Sequence, residues 1–152
     1  MGRSRGGLTT KIHALTDARG LPIKLALTPG QAHDAIGAAM LLTDLPERGI
    51  LLGDKAYDAN WIRARVEMQG AAPNIPNKSN RKYRHSFSKT LYRERNHVER
   101  FFNRIKNFRR VATRFEKLAA NFLGMVKLAS IRIWLRFHKA SAMSATESAF
   151  RS

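Results

Sequence analysis

The hydrophobic and polar positions of this chain follow two periods, and each period predicts one kind of element. Residues 9–17 and 21–28 alternate at every second position around an Ala-Arg-Gly turn, which predicts a β-hairpin with Asp17 as a turn former. Apolar residues recur every three or four positions in residues 33–45 and 59–70, which predicts two helices. The second is predicted to direct four residues toward the sheet: Trp61, Ile62, Val66 and Met68. The apolar run at 49–55 predicts a buried strand, and the proline-limited run at 71–77 predicts a short edge strand.

The second half of the chain is predicted to be helical. Residues 78–89 are polar, basic and without periodicity, so we expect a loop there. A helix is predicted from about Thr90 to Arg110, and a second from Leu118 to His138. Their predicted core-facing stripes are Val98, Phe101, Phe102, Ile105 and Phe108 in the first helix, and Leu118, Phe122, Met125, Leu128, Ile131 and Leu135 in the second. We therefore expect one domain over residues 1–138 and a flexible tail over residues 139–152.

Four polar residues share one face of the helix predicted at 90–110. At about 100° per helical residue, Tyr92, Arg95, Glu99 and Lys106 fall within roughly 60° of arc. A carboxylate among cations beside a buried stripe suits a metal ion that acts on phosphates. The alternative is a surface helix in which Glu99 makes ordinary ion pairs.

Three further acidic residues could either take part in chemistry or cap a helix. Asp54 is expected at the carboxyl end of a buried strand, where ligands commonly bind in open α/β sheets. Asp58 is predicted to cap the helix that follows. Asp34 is predicted to cap the helix that begins near residue 34.

Composition points to a polyanionic partner. The 152 residues include 28 Lys and Arg against 11 Asp and Glu, a formal charge of +17, and most of the excess lies in residues 78–139. Basic residues are mixed with aromatic residues in that region, which favours nucleic acid over membrane adhesion. The chain has no Cys, so a metal must be bound by oxygen or imidazole. No apolar run is long enough for a membrane span or a signal peptide, and we expect a cytoplasmic protein associated with the bacterial nucleoid.

Several motifs together resemble one family. The spacing of Tyr92, Arg95, Glu99 and Lys106 resembles the Y-R-E-K signature of DDE insertion-sequence transposases, and LLGDKAYDA at 51–59 resembles the segment of that family with the second catalytic Asp. GRSRGGLTTKIH at 2–13 and TPGQAHD at 28–34 are similar to members of the insertion sequence five group. The motifs occur in family order over nearly the whole chain.

The resemblance implies a fold, a reaction and a set of site residues. The implied fold is α/β, a ribonuclease-H-like mixed sheet flanked by helices, and the implied reaction is metal-dependent DNA cleavage and strand transfer with Mg²⁺ or Mn²⁺. By resemblance, Asp54 and Glu99 are catalytic metal ligands. The expected DNA-binding residues are Tyr92, Arg95, Lys106, Arg109 and Arg110, and His33 is expected to play a supporting role.

One part of the family pattern has no counterpart in this sequence. Transposases of this type place their first catalytic Asp on a central strand upstream of the segment similar to residues 2–13. We therefore expect the chain to be the C-terminal part of a catalytic domain. It would be completed by the product of an upstream reading frame, or else be a fragment of a decayed element. DNA and a possible second copy of the chain on DNA are the other expected partners.

Three other functions compete with an active transposase. The charge and the incomplete carboxylate set also suit a catalytically inactive DNA-binding fragment that inhibits transposition. A basic RNA-binding protein of the ribosomal kind would explain the charge but neither Asp54 nor Glu99. A stand-alone nuclease of this fold would also need the first acidic strand.

Overall fold

The chain is a mixed α/β protein whose strands form two small sheets. The computed structural model describes the backbone of residues 2–4 and 7–149 and the side chains of residues 9–142. Its strands are β1 (Gly2–Ser4), β2 (Gly7–Thr16), β3 (Pro22–Pro29), β4 (Ile50–Leu52) and β5 (Ala72–Asn74). Its helices are α1 (Asp34–Leu41), α2 (Asn60–Glu67), α3 (Lys89–Tyr92), α4 (Asn96–Lys106), α5 (Arg109–Ala112) and α6 (Ala119–Ala149).

The first sheet is antiparallel and contains the predicted hairpin. Its strand order is β1-β2-β3, with Ile12 opposite Leu27 and Ala14 opposite Leu25. Asp17 forms the turn as predicted, because its Oδ1 accepts hydrogen bonds from the backbone N–H groups of Arg19 (2.9 Å) and Leu21 (2.8 Å).

The second sheet is a parallel pair. β4 pairs with β5, with Ile50 opposite Ala72 and Leu52 opposite Asn74. The strand at 49–55 is less buried than its apolar sequence predicts, since Ile50 is 52% exposed. Within the described residues β2 and β4 do not pair, so a single continuous sheet is not formed by these strands.

Each sheet belongs to its own apolar core. The antiparallel sheet packs with α4, α5 and α6 around Leu21, Phe101, Ile105, Val111, Phe122, Val126, Ala129 and Ile133. The parallel pair packs with α1 and α2 around Ala38, Leu42, Ile62, Val66, Ala71 and Ile75. The indole N–H of Trp134 donates to the carbonyl of Pro22 at 2.9 Å, which fixes α6 on β3.

Two predicted core faces are partly wrong. In α2, Ile62 and Val66 are fully buried as predicted, whereas Trp61 and Met68 are exposed. In α6, the buried face is Phe122, Val126, Ala129 and Ile133, whereas Leu118, Leu128, Ile131 and Leu135 of the predicted stripe are more than half exposed. Apolar residues occupy more than one face of α6, so periodicity alone cannot select the face that packs.

The helix predicted from Thr90 to Arg110 is divided into four pieces. A 3₁₀ turn, Arg93–Arg95, separates α3 from α4, and α4 ends at Lys106. Phe108 has an extended backbone and packs against the core of the first sheet before α5 begins. The helix α6 continues through Ala149, so most of the tail predicted at 139–152 has helical backbone, and residues 150–152 of that tail lie outside the described residues.

Candidate catalytic and nucleic-acid-binding site

Asp54 lies two residues after the end of β4 and is held by the turn that follows. Its Oδ1 accepts a hydrogen bond from the Ala56 N–H at 3.0 Å and caps the 3₁₀ turn Lys55–Tyr57. Its Oδ2 faces the Nη1 of Arg95 at 3.5 Å, and 48% of the side chain is exposed. One carboxylate oxygen is thus anchored to the backbone, and the other remains accessible.

Glu99 reaches the same guanidinium from α4. Phe101 and Ile105 bury one side of this helix, which leaves Glu99 on the solvent side, 54% exposed. Arg95, one helical turn earlier, forms an ion pair with Glu99 through Nη2. Asp54 and Glu99 therefore meet at one cation, although Asp54 follows a strand of the parallel pair and Glu99 lies on a helix that packs on the antiparallel sheet.

Tyr92 covers the other side of that cation. The guanidinium of Arg95 lies 5.3 Å from the centre of the Tyr92 ring, and Phe87 packs edge-on against the ring at 5.3 Å. Burial raises the pKa of Tyr92, and the charges of Asp54 and Glu99 raise it further while Arg95 opposes them. The phenol is therefore protonated at neutral pH and can donate a hydrogen bond.

A buried polar network next to Asp54 was not predicted from the sequence. His13, 3% exposed, contacts the Thr28 hydroxyl through Nε2 at 2.8 Å and the Tyr57 hydroxyl through Nδ1 at 3.2 Å. Burial lowers the pKa of His13, so the ring is neutral at pH 7. Burial, then the charges of Asp34 and Asp54, raise the pKa of Tyr57 to about 12. The sequence signal for this network was the polar residue His13 within a strand of alternating polar and apolar residues.

The start of α1 differs from the prediction. His33 is the N-cap, and its Nδ1 accepts from the Ala35 N–H at 3.2 Å. Asp34, the predicted cap, is the first helical residue and instead forms an ion pair with Lys11 at 2.8 Å. The ring nitrogen of His33 thus accepts the capping hydrogen bond that was predicted for Asp34. A supporting role of His33 in the chemistry stays a prediction.

Asp58 does not cap α2, contrary to the prediction. Ala59 is the N-cap residue and makes no side-chain capping bond. Asp58 is buried and accepts from Arg63 at 2.8 Å, from Arg81 at 2.9 Å and from the Lys78 N–H at 2.7 Å. Burial acts to raise the pKa of Asp58, but these hydrogen bonds and charges outweigh it and hold the pKa well below its usual range.

This buried cluster holds the basic loop at 75–88 on α2. Within the loop Asn77 bonds the backbone of His85 in both directions, at 2.9 Å each. Lys82, Tyr83 and Arg84 are exposed, and Tyr83 is 76% exposed. The predicted loop is therefore anchored at its base and presents cations and an aromatic ring to solvent.

The predicted DNA-binding residues beyond Arg95 lie on the surface of α4 and α5. Lys106, Arg109 and Arg110 are all exposed. Lys106 stands two helical turns beyond Glu99, about 10 Å along the axis. The guanidinium of Arg110 lies 5.2 Å from the centre of the Phe115 ring. Cations thus continue along the helix from the carboxylate pair.

A pair of accessible carboxylates beside an exposed cationic surface is the type of site that acts on a polyanion such as nucleic acid. The chain belongs to the family of the transposase DDE domain, whose family model matches residues 2–134. Domains of this family generally use divalent metal ions. The chain is 41% identical over 130 residues to a Brucella ovis protein named "Putative transposase for insertion sequence element IS6501", and the alignment covers 85% of this chain and all of that protein. No solved structure matches the chain.

None of the helices in the described part of the chain is both long enough and apolar enough to span a membrane.

Proposed function

We propose that the chain acts in DNA transposition, in the metal-dependent cleavage and joining of phosphodiester bonds at the ends of an insertion element. The observation that carries this proposal is the meeting of Asp54 and Glu99 at the guanidinium of Arg95. Membership of the transposase DDE domain family supports it. The motif likeness to the insertion sequence five group supports the proposal that the element is of that group.

The donor set suits a hard divalent cation. Asp54 and Glu99 supply carboxylate oxygens, which Mg²⁺ and Mn²⁺ prefer, and both are accessible to solvent. In the structure the positive charge between them is that of Arg95. A bound Mg²⁺ or Mn²⁺ would stabilise negative charge on the reacting phosphodiester and activate the attacking oxygen.

The side chains around the carboxylates have distinct tasks in this proposal. The Ala56 N–H keeps Asp54 oriented, so that its other oxygen, Oδ2, faces Arg95. Arg95 offsets one of the two negative charges of the carboxylates before DNA binds, and its guanidinium then pairs with a phosphate. Tyr92 holds Arg95 through its ring and offers its phenolic proton to a phosphate oxygen.

A third acidic ligand must come from outside the described residues. Among residues 9–142 no group of three or more His, Asp or Glu side chains is placed to hold a metal ion. We propose that the product of an upstream reading frame supplies this ligand, on a strand that completes a ribonuclease-H-like sheet. Two carboxylates alone hold the ion weakly, so activity depends on that partner.

DNA contacts extend from the carboxylate pair over the exposed cations. Lys106, Arg109 and Arg110 bind the phosphate backbone, and a second copy of the chain binds the other end of the element. We expect the protein in the bacterial cytoplasm, on the nucleoid, where its DNA substrate lies.

A strand-transfer assay tests the proposal. The chain and the upstream product are incubated with Mn²⁺ and labelled DNA carrying the ends of the element, and cleaved and joined products are separated on a gel. We expect Asp54→Asn and Glu99→Gln each to abolish joining without weakening DNA binding. Glu67→Gln, an exposed change on α2, is the matched control and should keep full activity. Joining that survives both site substitutions refutes the proposed roles.

A second function follows from the same incomplete ligand set. The chain alone would bind element ends without cutting them and inhibit the complete transposase by competition. In that case Glu99→Gln keeps both the DNA affinity and the inhibition. If the substitution removes the biological effect while DNA affinity is kept, inhibition by simple binding is excluded.

A further inference from the structure

His13 lies between the parts of the molecule that carry Asp54 and Glu99. Its neighbours on β2, Ile12 and Ala14, pack against the core that contains α4. Successive side chains of a strand point to opposite faces, so His13 projects from the other face of the sheet, toward α1. The strand β2 therefore supports the helix of Glu99 on one face and presents His13 on the other.

The His13 ring is held on three sides. Its Nε2 contacts the Thr28 hydroxyl at 2.8 Å, and its Nδ1 contacts the Tyr57 hydroxyl at 3.2 Å. Gly37 of α1 closes over the ring, since a Cβ at that position would lie 2.3 Å from Nδ1. A neutral imidazole has one donor and one acceptor nitrogen, and either tautomer satisfies both contacts because both hydroxyls can donate or accept. The ring is therefore fixed in one orientation.

Tyr57 connects this ring to the turn that holds Asp54. Its backbone N–H donates to the Asp54 carbonyl at 2.9 Å and closes the 3₁₀ turn. Its aromatic ring packs on the α1–α2 core, and its hydroxyl reaches His13 on β2. One side chain thus links the turn after β4 to the antiparallel sheet.

The position of the Asp54 carboxylate depends on the same turn. Its Oδ1 accepts from the N–H of Ala56, the residue just before Tyr57, at 3.0 Å. The Asp54 side chain is 48% exposed, so packing contributes little to its orientation. A shift of Tyr57 would move the Ala56 N–H and, with it, the carboxylate.

A second polar contact between β2 and α1 does not reach this turn. Lys11 pairs with Asp34 at the start of α1, and their side chains are 39% and 33% exposed. An ion pair that is open to water contributes little to holding two elements together. The contact between His13 and Tyr57 is shielded, because His13 is almost fully buried, and it ends three residues from Asp54.

We propose that His13 and Tyr57 are positioning residues for Asp54. The hydrogen bond between them ties the turn at 54–57 to β2, and β2 also supports the helix of Glu99. The bond therefore sets the separation of the two carboxylates without touching either of them. That this separation governs metal binding and strand transfer rests on the proposed function, whereas the positioning of Asp54 does not.

Tyr57→Phe tests the positioning, because it removes the hydroxyl and keeps the ring that packs on the core. Hydrogen exchange of the Ala56 amide, followed by NMR in metal-free buffer, reports how firmly Asp54 holds that N–H. We expect the exchange to become about fivefold to tenfold faster, the effect of losing one ordinary hydrogen bond.

Ser130→Ala is the matched control for this measurement. It removes another buried hydroxyl, which donates to the Val126 carbonyl at 2.8 Å on α6. Exchange of the Ala56 amide should stay within about twofold of that in the unchanged chain, because the two sites share no contacts. Unchanged exchange in Tyr57→Phe, or an equal rise in both variants, overturns the proposal.

Strand transfer by the full chain with its upstream partner and Mn²⁺ gives a second readout. At saturating DNA, Tyr57→Phe should lower the joining rate about tenfold or more and keep DNA affinity within about twofold, since the hydroxyl acts through Asp54. His13→Asn keeps a polar group at the place of Nδ1 and should retain most of the rate, whereas His13→Leu should lose as much as Tyr57→Phe. Equal losses in the two His13 variants overturn the role of Nδ1.

The effects of the two substitutions should not add. The bond is already absent in His13→Leu, so adding Tyr57→Phe should slow joining by less than about twofold more, and additive losses overturn the proposal. If Ala56 exchange responds as expected but the unchanged chain and its partner join no DNA, the positioning stands and the proposed function fails. If joining proceeds while Ala56 exchange does not respond, the function stands and the positioning fails.

Discussion

Replacing Asp58 by Asn tests whether one buried carboxylate holds the basic loop on α2. None of the Asp58 side chain is exposed, and Arg63 beside it is 3% exposed. Removing one partner of a buried ion pair leaves a buried charge without compensation, which costs about 3–5 kcal/mol. Arg63 keeps its 2.7 Å hydrogen bond to the Ile75 carbonyl, so we expect a loss near the lower end, about 3 kcal/mol. For a domain stable by about 5–15 kcal/mol, that is a substantial fraction.

Urea denaturation followed by tryptophan fluorescence measures this loss, since Trp61 lies on α2. Asp44→Asn is the matched control, because it removes an exposed ion pair with Lys24 and should leave the midpoint nearly unchanged. The variant at Asp58 should also bind DNA more weakly, because Arg81 and the loop lose their anchor. A denaturation midpoint equal to that of the unchanged chain at pH 7 refutes the reasoning.

The pH dependence of the difference in unfolding free energy between the unchanged chain and Asp58→Asn checks whether that difference is electrostatic. Burial alone would raise the pKa of Asp58, but hydrogen bonds from Arg81, the Lys78 N–H and Arg63 lower it in the folded chain. The unfolded value is about 3.9, so the contribution of Asp58 is complete above that pH and is lost as the pH falls toward the folded value. The stability gap between the unchanged chain and Asp58→Asn should therefore narrow below about pH 4. A gap independent of pH contradicts an ionic origin.

Three further substitutions have definite expected outcomes. Lys106→Ala should weaken binding to all DNA sequences and reduce the slope of log affinity against log salt by about one unit, measured by fluorescence anisotropy; an unchanged slope excludes a phosphate contact. Gly37→Ala should destabilise the chain by about 1–3 kcal/mol in thermal melts, because a Cβ would lie 2.3 Å from Nδ1 of His13. Gly124→Ala on α6, with nothing within 4 Å, is its control and should not destabilise. Arg95→Gln should tighten Mn²⁺ binding about fivefold or more, because a partly buried charge about 4 Å from the ion repels it by at least about 1 kcal/mol. Weaker binding would show that Arg95 organises the carboxylates.

Local sequence signals predicted the elements that depend on neighbouring residues. The hairpin follows from alternation and from the turn at Asp17, and α2 follows from helical spacing. Periodicity also placed Asp54 at a strand end and Glu99 on a helix face beside an apolar stripe, and tertiary contacts did not override it in these segments. That the two carboxylates lie close together was expected only from the resemblance to the transposase family, which implies both as metal ligands.

Features that depend on long-range packing were missed for identifiable reasons. The face of α6 was misjudged because Leu128 and Ile131 are as apolar as the buried Val126, and only the shape of the facing core selects between them. Asp58 was misjudged because its partners Arg63 and Arg81 lie on a helix and on a loop that periodicity does not bring together. Neither feature has a local signature.

The carboxylate pair depends on how the two cores are held relative to each other. Asp54 follows β4, whose Leu51 packs on the α1–α2 core, whereas Glu99 is carried by α4, which packs on the antiparallel sheet. Arg95 contacts both carboxylates and so links the two cores at this point. A change that shifts one core relative to the other would therefore alter the separation of the carboxylates without touching either residue.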